Sequence, residues 1–354
     1  MSAAENIINP ATGVDAAAFV AGDLDHAAQT RAAEAARYAS PKEQVIGVAT
    51  MIGTASSNQV GAAIGAMAFP FIGPFGVVAV RQFTAAIVLM SVARPKLRTF
   101  TWSQWWPVLL LAVVLGTMNL TLYVAIDRLG LGMAVTLEFL GPLGVALFAG
   151  RSRLTLLCGA IAATGVVVLT APGPTTDVIG LSVGLVSALC WASYILLNRV
   201  IGRRMPGVQG AAAASLVSSI FFIPVFIIVM LHAPFTIAAL GLAVVAGIMC
   251  SAIPFAADLI TLRRVPTHVF GIFMSINPFL AAVSGAVLLH QMLGLHEWIG
   301  MGLIIVANIM AVLLSRRSAA LSARGGASGP RRSILPFSGK GTVSARAVSI
   351  RPKP

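Results

Sequence analysis

The stretch that decides the fold runs from Arg128 to Pro142 and reads RLGLGMAVTLEFLGP. It places an ionisable residue, Glu138, inside an apolar run from Leu131 to Ala149, which is long enough to cross a bilayer as a helix at about 1.5 Å per residue. A charged side chain there costs roughly 2.5–3.5 kcal/mol on insertion scales. Pro142 has no N–H, so the Glu138 carbonyl lacks its helical partner. The stretch therefore predicts a broken membrane helix whose turn faces protein or a watery cavity.

Two interpretations of this turn follow from its residues. In the first, Glu138 is a packed, protonated acid beside a proline kink. In the second, Glu138 belongs to a substrate or proton site. It then exchanges a proton for substrate and binds the substrate's ammonium group when ionised, while Arg81, in the middle of another apolar run, holds the substrate's carboxylate.

The composition is that of a polytopic membrane protein. The 354 residues are 58% hydrophobic and only 10% charged, against about 25% charged residues in soluble domains. The net charge of +13 does not indicate nucleic acid, because the basic residues lie in short loops and a tail rather than on one folded face. No ligand spacing predicts a metal, and no phosphate-binding loop predicts a nucleotide cofactor.

Ten apolar runs follow an Ala-rich N-terminal extension, residues 1–43, which we expect to be cytoplasmic. Each run is predicted to be one transmembrane helix, and the short loops make sequential neighbours antiparallel. The basic tail, residues 315–354, has few large apolar residues and is expected to be disordered. The runs are 44–66, 74–93, 105–126, 131–149, 153–171, 178–199, 209–231, 236–259, 267–289 and 295–314.

The basic residues of the loops predict the orientation. Connections after the odd-numbered runs contain only Arg128, whereas the even-numbered connections contain ten basic residues. By the positive-inside rule both termini are cytoplasmic, in a bacterial-type inner membrane. The ten are Arg94, Lys96, Arg98, Arg151, Arg153, Arg199, Arg203, Arg204, Arg263 and Arg264.

One spacing repeats between the two halves of the chain. Arg128 precedes Pro142 by the same interval that separates Arg264 from Pro278, and each pair begins a polar-to-apolar helix entry. The predicted fold is therefore an all-α integral membrane protein of ten transmembrane helices. Residues 44–171 and 178–314 are two five-helix repeats, and because five is odd the second repeat is inverted. Inverted repeats with broken helices are a transporter architecture.

Two further ionisable or helix-breaking features each have a structural and a functional interpretation. Arg81 either binds a substrate carboxylate or holds Glu138 ionised, or it is a structural arginine that snorkels or is hydrogen-bonded to carbonyls. Asp258 follows the helix-breaking Pro254 by one turn. It either gates or relays protons, or pairs with basic residues at the surface.

Neutral polar and aromatic residues at membrane depth leave similar alternatives. Asn119 and Asn277 either join helices or line a polar cavity. Cavity lining by Asn277 is favoured because Pro278 opens the helix beside it. Trp191 and Tyr194 continue a stripe of small residues and form either core packing or a wall of the substrate pathway. A GxxxG motif at Gly61 and Gly65 suits either a homodimer or close packing inside one bundle.

Three stretches resemble a known family, the drug/metabolite transporter superfamily of EamA type, closest to its bacterial threonine/homoserine exporter branch. They are MNLTLYVAIDRLGLGMAVTLEFLGPLGVALF (118–148), ALCWASYILLNR (188–199) and IPFAADLITLRRVPTHVFGIFMSINPFLAAVSG (253–285). The resemblance covers residues 44–314 and implies a secondary exporter of small amino acids or related metabolites, driven by an ion gradient and embedded in the lipid bilayer. The family's functional charges fall on Arg81, Glu138 and Asp258.

One departure from the family concerns the ninth helix. Where the family has Met-Glu-Pro or Leu-Glu-Pro, this chain has Ile276-Asn277-Pro278, so a carboxylate of that helix is missing and the substrate and proton route are open. An exporter of amphipathic drugs, or an importer, fits the same scaffold. An integral membrane enzyme or sensor is the alternative of another class, but no catalytic constellation supports it.

Overall fold

In the computed structural model the chain is helical throughout the part described, residues 41–149, 153–171, 177–205, 208–234, 236–254 and 274–327. The helices are α1 (Pro41–Ala66), α2 (Phe69–Ala93), α3 (Trp102–Leu129), α4 (Leu131–Glu138), α5 (Leu140–Ala149), α6 (Arg153–Thr170), α7 (Val178–Gly202), α8 (Gln209–Phe221), α9 (Ile223–His232), α10 (Ile237–Gly247), α11 (Asn277–Leu289) and α12 (Leu295–Ala327). A 3₁₀ turn (Leu97–Thr99) precedes α3, and a π-helical turn (Ile248–Ala252) follows α10.

Five helical segments in these ranges are long and apolar enough to cross a membrane, and the bent pair α8–α9 makes a sixth. The five are α2, α3, residues 131–148, α7 and residues 295–314. Shorter apolar helices occupy 154–170, 237–251 and 277–289. These elements coincide with predicted runs, except that α2, α3 and α7 extend up to five residues beyond the predicted ends. Residues 255–273, which would complete the eighth and ninth runs, lie outside the described part. The predicted N-terminal extension also lies outside it, except for residues 41–43.

Three membrane helices are interrupted beside prolines. The fourth run breaks at Phe139, between α4 and α5, as expected from the missing N–H of Pro142. The seventh run bends by 41° between α8 and α9, just before Pro224. The π-helical turn lies directly before Pro254, where the proline ring prevents ordinary helical pairing with the preceding turn.

The bundle is built around the contact between α3 and α7, and α7 also packs against α4 and α5. The closest approach is at Gly141 of α5, where a Cβ would collide with the Ala188 carbonyl oxygen of α7. The small residues of α7 permit this packing because Gly180 and Gly184 lie against Leu129 and Leu137.

The GxxxG motif of α1 is used inside the bundle. A Cβ on Gly61 would meet the side chains of Met249 and Cys250, and one on Gly65 would meet Tyr123. Of the two interpretations of the motif, the described contacts match close packing within one chain.

Polar contacts join the two halves at one end of the bundle. Arg128 Nε lies 3.1 Å from Asp177 Oδ2, and Asp177 also caps α7 by accepting the Gly180 N–H at 2.8 Å. The hydrogen bond from the Gly180 N–H, and to a smaller extent the Arg128 charge, holds the pKa of Asp177 below its ordinary value. Gln291 Oε1 accepts the Leu131 N–H at 2.9 Å and so caps the start of α4.

The last helix differs from the sequence prediction. It continues to Ala327, whereas the disordered tail was expected to begin at residue 315. The chain divides into two units after Arg316, and every contact described here lies in the first unit. Residues 328–354, the remainder of the predicted tail, lie outside the described part.

Candidate transport site

A cavity of about 350 Å³ lies among α1, α2, α3, α7, α8, the π-helical turn and the start of α11. It is displaced toward the end of the bundle where α2 ends and α3 begins, because its wall comes from the C-terminal halves of α2 and α7. Its polar wall residues are Thr54, Asn58, Arg81, Gln82, Asn119, Trp191, Tyr194, Ser215, Cys250, Ser251 and Asn277. Among the described wall residues none is Asp, Glu or Lys, so Arg81 supplies their only fixed charge.

Five of the predicted site residues meet at this cavity: Arg81, Asn119, Trp191, Tyr194 and Asn277. They come from four helices that are far apart in sequence. For Asn277, cavity lining and helix joining both apply, because its amide also accepts a hydrogen bond from Gln59 of α1. Among described residues the cavity wall thus combines apolar side chains with convergent polar groups, which is the usual character of a small-molecule site.

Arg81 is held by an aromatic ring rather than by an acid. Its Cζ lies 5.2 Å from the centroid of the Tyr123 ring, and the guanidinium forms no salt bridge with any residue in the described ranges. The Arg81 side chain also lines the cavity. The arrangement leaves a positive charge available to an anionic ligand.

The two cavity asparagines are fixed by different partners. Asn277 Oδ1 accepts a hydrogen bond from Gln59 Nε2 at 3.0 Å, and its Nδ2 donates to the Met274 carbonyl at 2.8 Å. Asn119 Nδ2 donates to the Leu115 carbonyl of its own helix at 2.9 Å. The Asn277 amide therefore ties the start of α11 to α1, while the Asn119 amide donates within its own helix.

Glu138 does not line the cavity. It is buried at the end of α4, where its Oε1 accepts a hydrogen bond from Ser187 Oγ of α7 at 2.7 Å. The next residue, Phe139, makes an edge-on contact with Trp191, with ring centroids 4.6 Å apart. Glu138 thus touches the cavity wall indirectly, through α7, and a direct contact with a ligand's ammonium group is absent from this arrangement.

The remaining predicted residues are the three helix-breaking prolines and Asp258. Pro254 lines the cavity, Pro142 lies in α5, and Pro278 is buried at the first turn of α11. Asp258 lies outside the described residues.

Two cavity features were missed by sequence reasoning. Gln82 reaches across to α8, donating from Nε2 to Ser218 Oγ at 2.6 Å. Tyr123, fully buried under Arg81, was not selected, although its position one turn after Asn119 placed both on one face of α3. The signal that could have found it is that a buried arginine requires a partner.

Broken helices around a polar cavity in a bundle of apolar helices define a class, the multi-pass membrane transporters. Sequence comparison places the chain within that class: it belongs to the EamA-like transporter family, whose match covers residues 178–313. The threonine/homoserine exporter RhtA of Escherichia coli K12 is 34% identical over 267 residues, which are 74% of this chain and 90% of that protein. The RhtA exporter of Salmonella typhimurium LT2 is 35% identical over 269 residues, with the same coverage.

A solved structure supports the same fold. The match covers 76% of this chain and 98% of the chain in that crystal structure, with a TM-score of 0.51 and 20% sequence identity. The relatives named are bacterial membrane exporters, so the chain is a multi-pass transporter of an inner membrane.

Proposed function

We propose that this protein is a proton-coupled secondary exporter of small amino acids such as threonine and homoserine. The observation that carries the proposal is the cavity, in which a guanidinium without a salt bridge in the described part of the chain faces several neutral amides and hydroxyls. The relatives that export threonine and homoserine support the substrate class. A volume of about 350 Å³ falls at the small end of ligand sites, which suits one amino acid rather than a large amphipathic drug.

In this proposal Arg81 binds the substrate carboxylate, and neutral oxygens bind its ammonium and hydroxyl groups. A guanidinium and a carboxylate form a bidentate pair, which gives both affinity and orientation. The positive charge at the wall disfavours lipophilic cations, which sets this function apart from export of cationic drugs.

Glu138 serves as the proton site and acts through α7. Protonation changes its hydrogen bond with Ser187, and Trp191 lies one turn further along the same helix. A change at Glu138 therefore reaches the cavity wall without contact between acid and substrate. Asp258, as a gate or proton relay, remains a sequence-based proposal.

The ten-helix inverted repeat is the architecture we propose, and the helix contacts support it. If the two halves are equivalent repeats, each contact between two helices should have a counterpart between the corresponding helices of the other half. The α3–α7 contact corresponds to α10–α1, α5–α7 to α11–α1, and α3–α8 to α10–α2, and all six are present. The Glu138–Ser187 and Asn277–Gln59 hydrogen bonds correspond in the same way. Rocking of one half against the other then gives alternating access.

Both termini are cytoplasmic in this proposal, with residues 44–171 and 178–314 as the two repeats. A reporter fused after Pro354 or inserted near Lys42 should read cytoplasmic, and one inserted at residues 172–176 should read periplasmic. A periplasmic reading after Pro354 would contradict the ten-helix count.

The test of function is counterflow in proteoliposomes. Labelled threonine and homoserine should enter vesicles preloaded with unlabelled substrate, and an imposed pH gradient should drive net transport. Arg81→Lys keeps the charge but not the planar guanidinium group. It should therefore raise KM for threonine, with little loss of protein yield. Absence of threonine and homoserine counterflow in the correctly inserted wild-type protein would refute the proposed substrate class.

A further inference from the structure

Tyr123 contacts Arg81, but the proposed transport function assigns it no role. Its ring is fully buried in α3, one turn beyond the cavity residue Asn119. The Arg81 guanidinium lies over one face of the ring, and Phe69 packs edge-on against the ring with centroids 5.9 Å apart. The ring is thus clamped between an aromatic neighbour and the one cation of the described cavity wall.

We propose that Tyr123 is a positioning residue for the anion-binding arginine: the face of its ring holds the Arg81 guanidinium toward the cavity without neutralising it. This inference rests on the proposed role of Arg81 as the carboxylate anchor. It adds the group that keeps the anchor in place.

The physical reason lies in what a buried arginine requires. An acid beside Arg81 would satisfy the guanidinium, but it would also compete with an incoming carboxylate. An aromatic face attracts the cation through its quadrupole and leaves the N–H groups free to bind. The nearest buried acid, Glu138, is bonded to Ser187 instead and forms no salt bridge with Arg81.

The proposal assigns the holding of Arg81 to the ring of Tyr123 and not to its hydroxyl. Tyr123 Oη is buried and has no hydrogen-bond partner in the described part of the chain. The hydroxyl oxygen lies close to Gly65 of α1. Phenylalanine, which keeps the ring and drops the hydroxyl, should therefore preserve the positioning, whereas leucine should remove it.

The experiment compares Tyr123→Phe with Tyr123→Leu in threonine counterflow. The Phe variant should keep the wild-type KM. The Leu variant should raise KM about five- to thirtyfold, the equivalent of roughly 1–2 kcal/mol for a desolvated cation–π contact, with little change in maximal rate. Inhibition of transport by threonine amide, which lacks the carboxylate, should be equal in both variants.

Phe226→Leu is the matched control. Phe226 also loses an aromatic contact inside the bundle, with Phe83 at a centroid distance of 5.5 Å, but no cation is involved. Its KM should stay at the wild-type value. If Phe226→Leu raised KM as much as Tyr123→Leu, the effect would be one of packing, and the positioning role would be refuted.

A second measurement is independent of the transported substrate. Acetate should raise the melting temperature of the purified wild-type and Tyr123→Phe proteins with the same half-saturating concentration, and that concentration should rise at least fivefold in Tyr123→Leu. Lack of threonine transport with this acetate pattern retained would reject the proposed substrate and keep the positioning role. Equal acetate midpoints in all three proteins would overturn the positioning role.

Discussion

Adding one methyl group at Gly141 tests the contact between the broken helix and α7. The backbone at Gly141 is helical, so alanine fits its local conformation, but the new Cβ would collide with the Ala188 carbonyl oxygen. That carbonyl belongs to the backbone of α7 and cannot turn away as a side chain could. Gly144, one turn later in the same helix, has no atom within 4 Å of the corresponding Cβ position, and Gly144→Ala is therefore the matched control.

The expected effects on stability differ between the two sites. Alanine gains up to about 1 kcal/mol over glycine in a helix, and both variants share this gain. Overpacking at a tight contact costs about 1–3 kcal/mol, so Gly141→Ala should be about 1–3 kcal/mol less stable than Gly144→Ala. Thermal unfolding in detergent should separate their melting temperatures by about 2–12 °C, taking about 2–4 °C per kcal/mol.

The same pair of variants also links packing to transport. Glu138 and Ser187 lie within one turn of the Gly141–Ala188 contact, so forcing α5 away from α7 should stretch their hydrogen bond. Threonine counterflow per inserted molecule should fall in Gly141→Ala and stay normal in Gly144→Ala. Equal melting temperatures and equal transport for the two variants would refute the reasoning that Gly141 is required by close approach.

Three further outcomes are expected. Glu138→Gln retains size and an acceptor for Ser187 but cannot ionise, so it should insert normally and lose pH-driven transport in proteoliposomes; a native rate with unchanged pH dependence would make Glu138 a structural residue. Asp177→Asn should lower the melting temperature at neutral pH, because the depressed pKa of Asp177 stabilises the fold above the unfolded-state value of about 3.9. This difference should vanish as pH falls through the folded-state pKa, and a difference independent of pH would exclude the ionic contribution. Deletion of residues 328–354 should leave counterflow intact, and loss of activity in an inserted truncation would reveal a role for the tail.

Within the described residues, sequence reasoning located the apolar helices to within a few residues, because hydropathy and prolines act locally. The break at Phe139 followed from the missing N–H of Pro142, and the tight α7 contacts followed from its small residues. The last helix was placed too short, since its apolar pattern ends at residue 314 whereas alanine-rich sequence continues it to Ala327.

The partners within the site could not be predicted in the same way. From the sequence, Arg81 could bind a substrate carboxylate or hold Glu138 ionised. Which neighbour a buried polar group contacts depends on helix rotation, and α7 presents Ser187 to the acid. The pairing of Asn277 with Gln59 joins residues separated by 218 positions, and neither residue carries a local signal for the other. Tyr123 is an ordinary aromatic residue in an apolar run until the fold places a cation on it.

The cap that Gln291 provides to Leu131 has a consequence for how the protein is made. These residues are 160 positions apart, and Gly130 before them has a positive φ of 85°, so the start of α4 relies on glycine geometry and on a side chain synthesised much later. While the ribosome is still producing the second repeat, the Leu131 N–H lacks the Gln291 acceptor that it has in the folded protein. The final structure of the first repeat therefore has to wait for late assembly, and the first repeat expressed alone should be a target for membrane quality-control proteases until the second is supplied in trans.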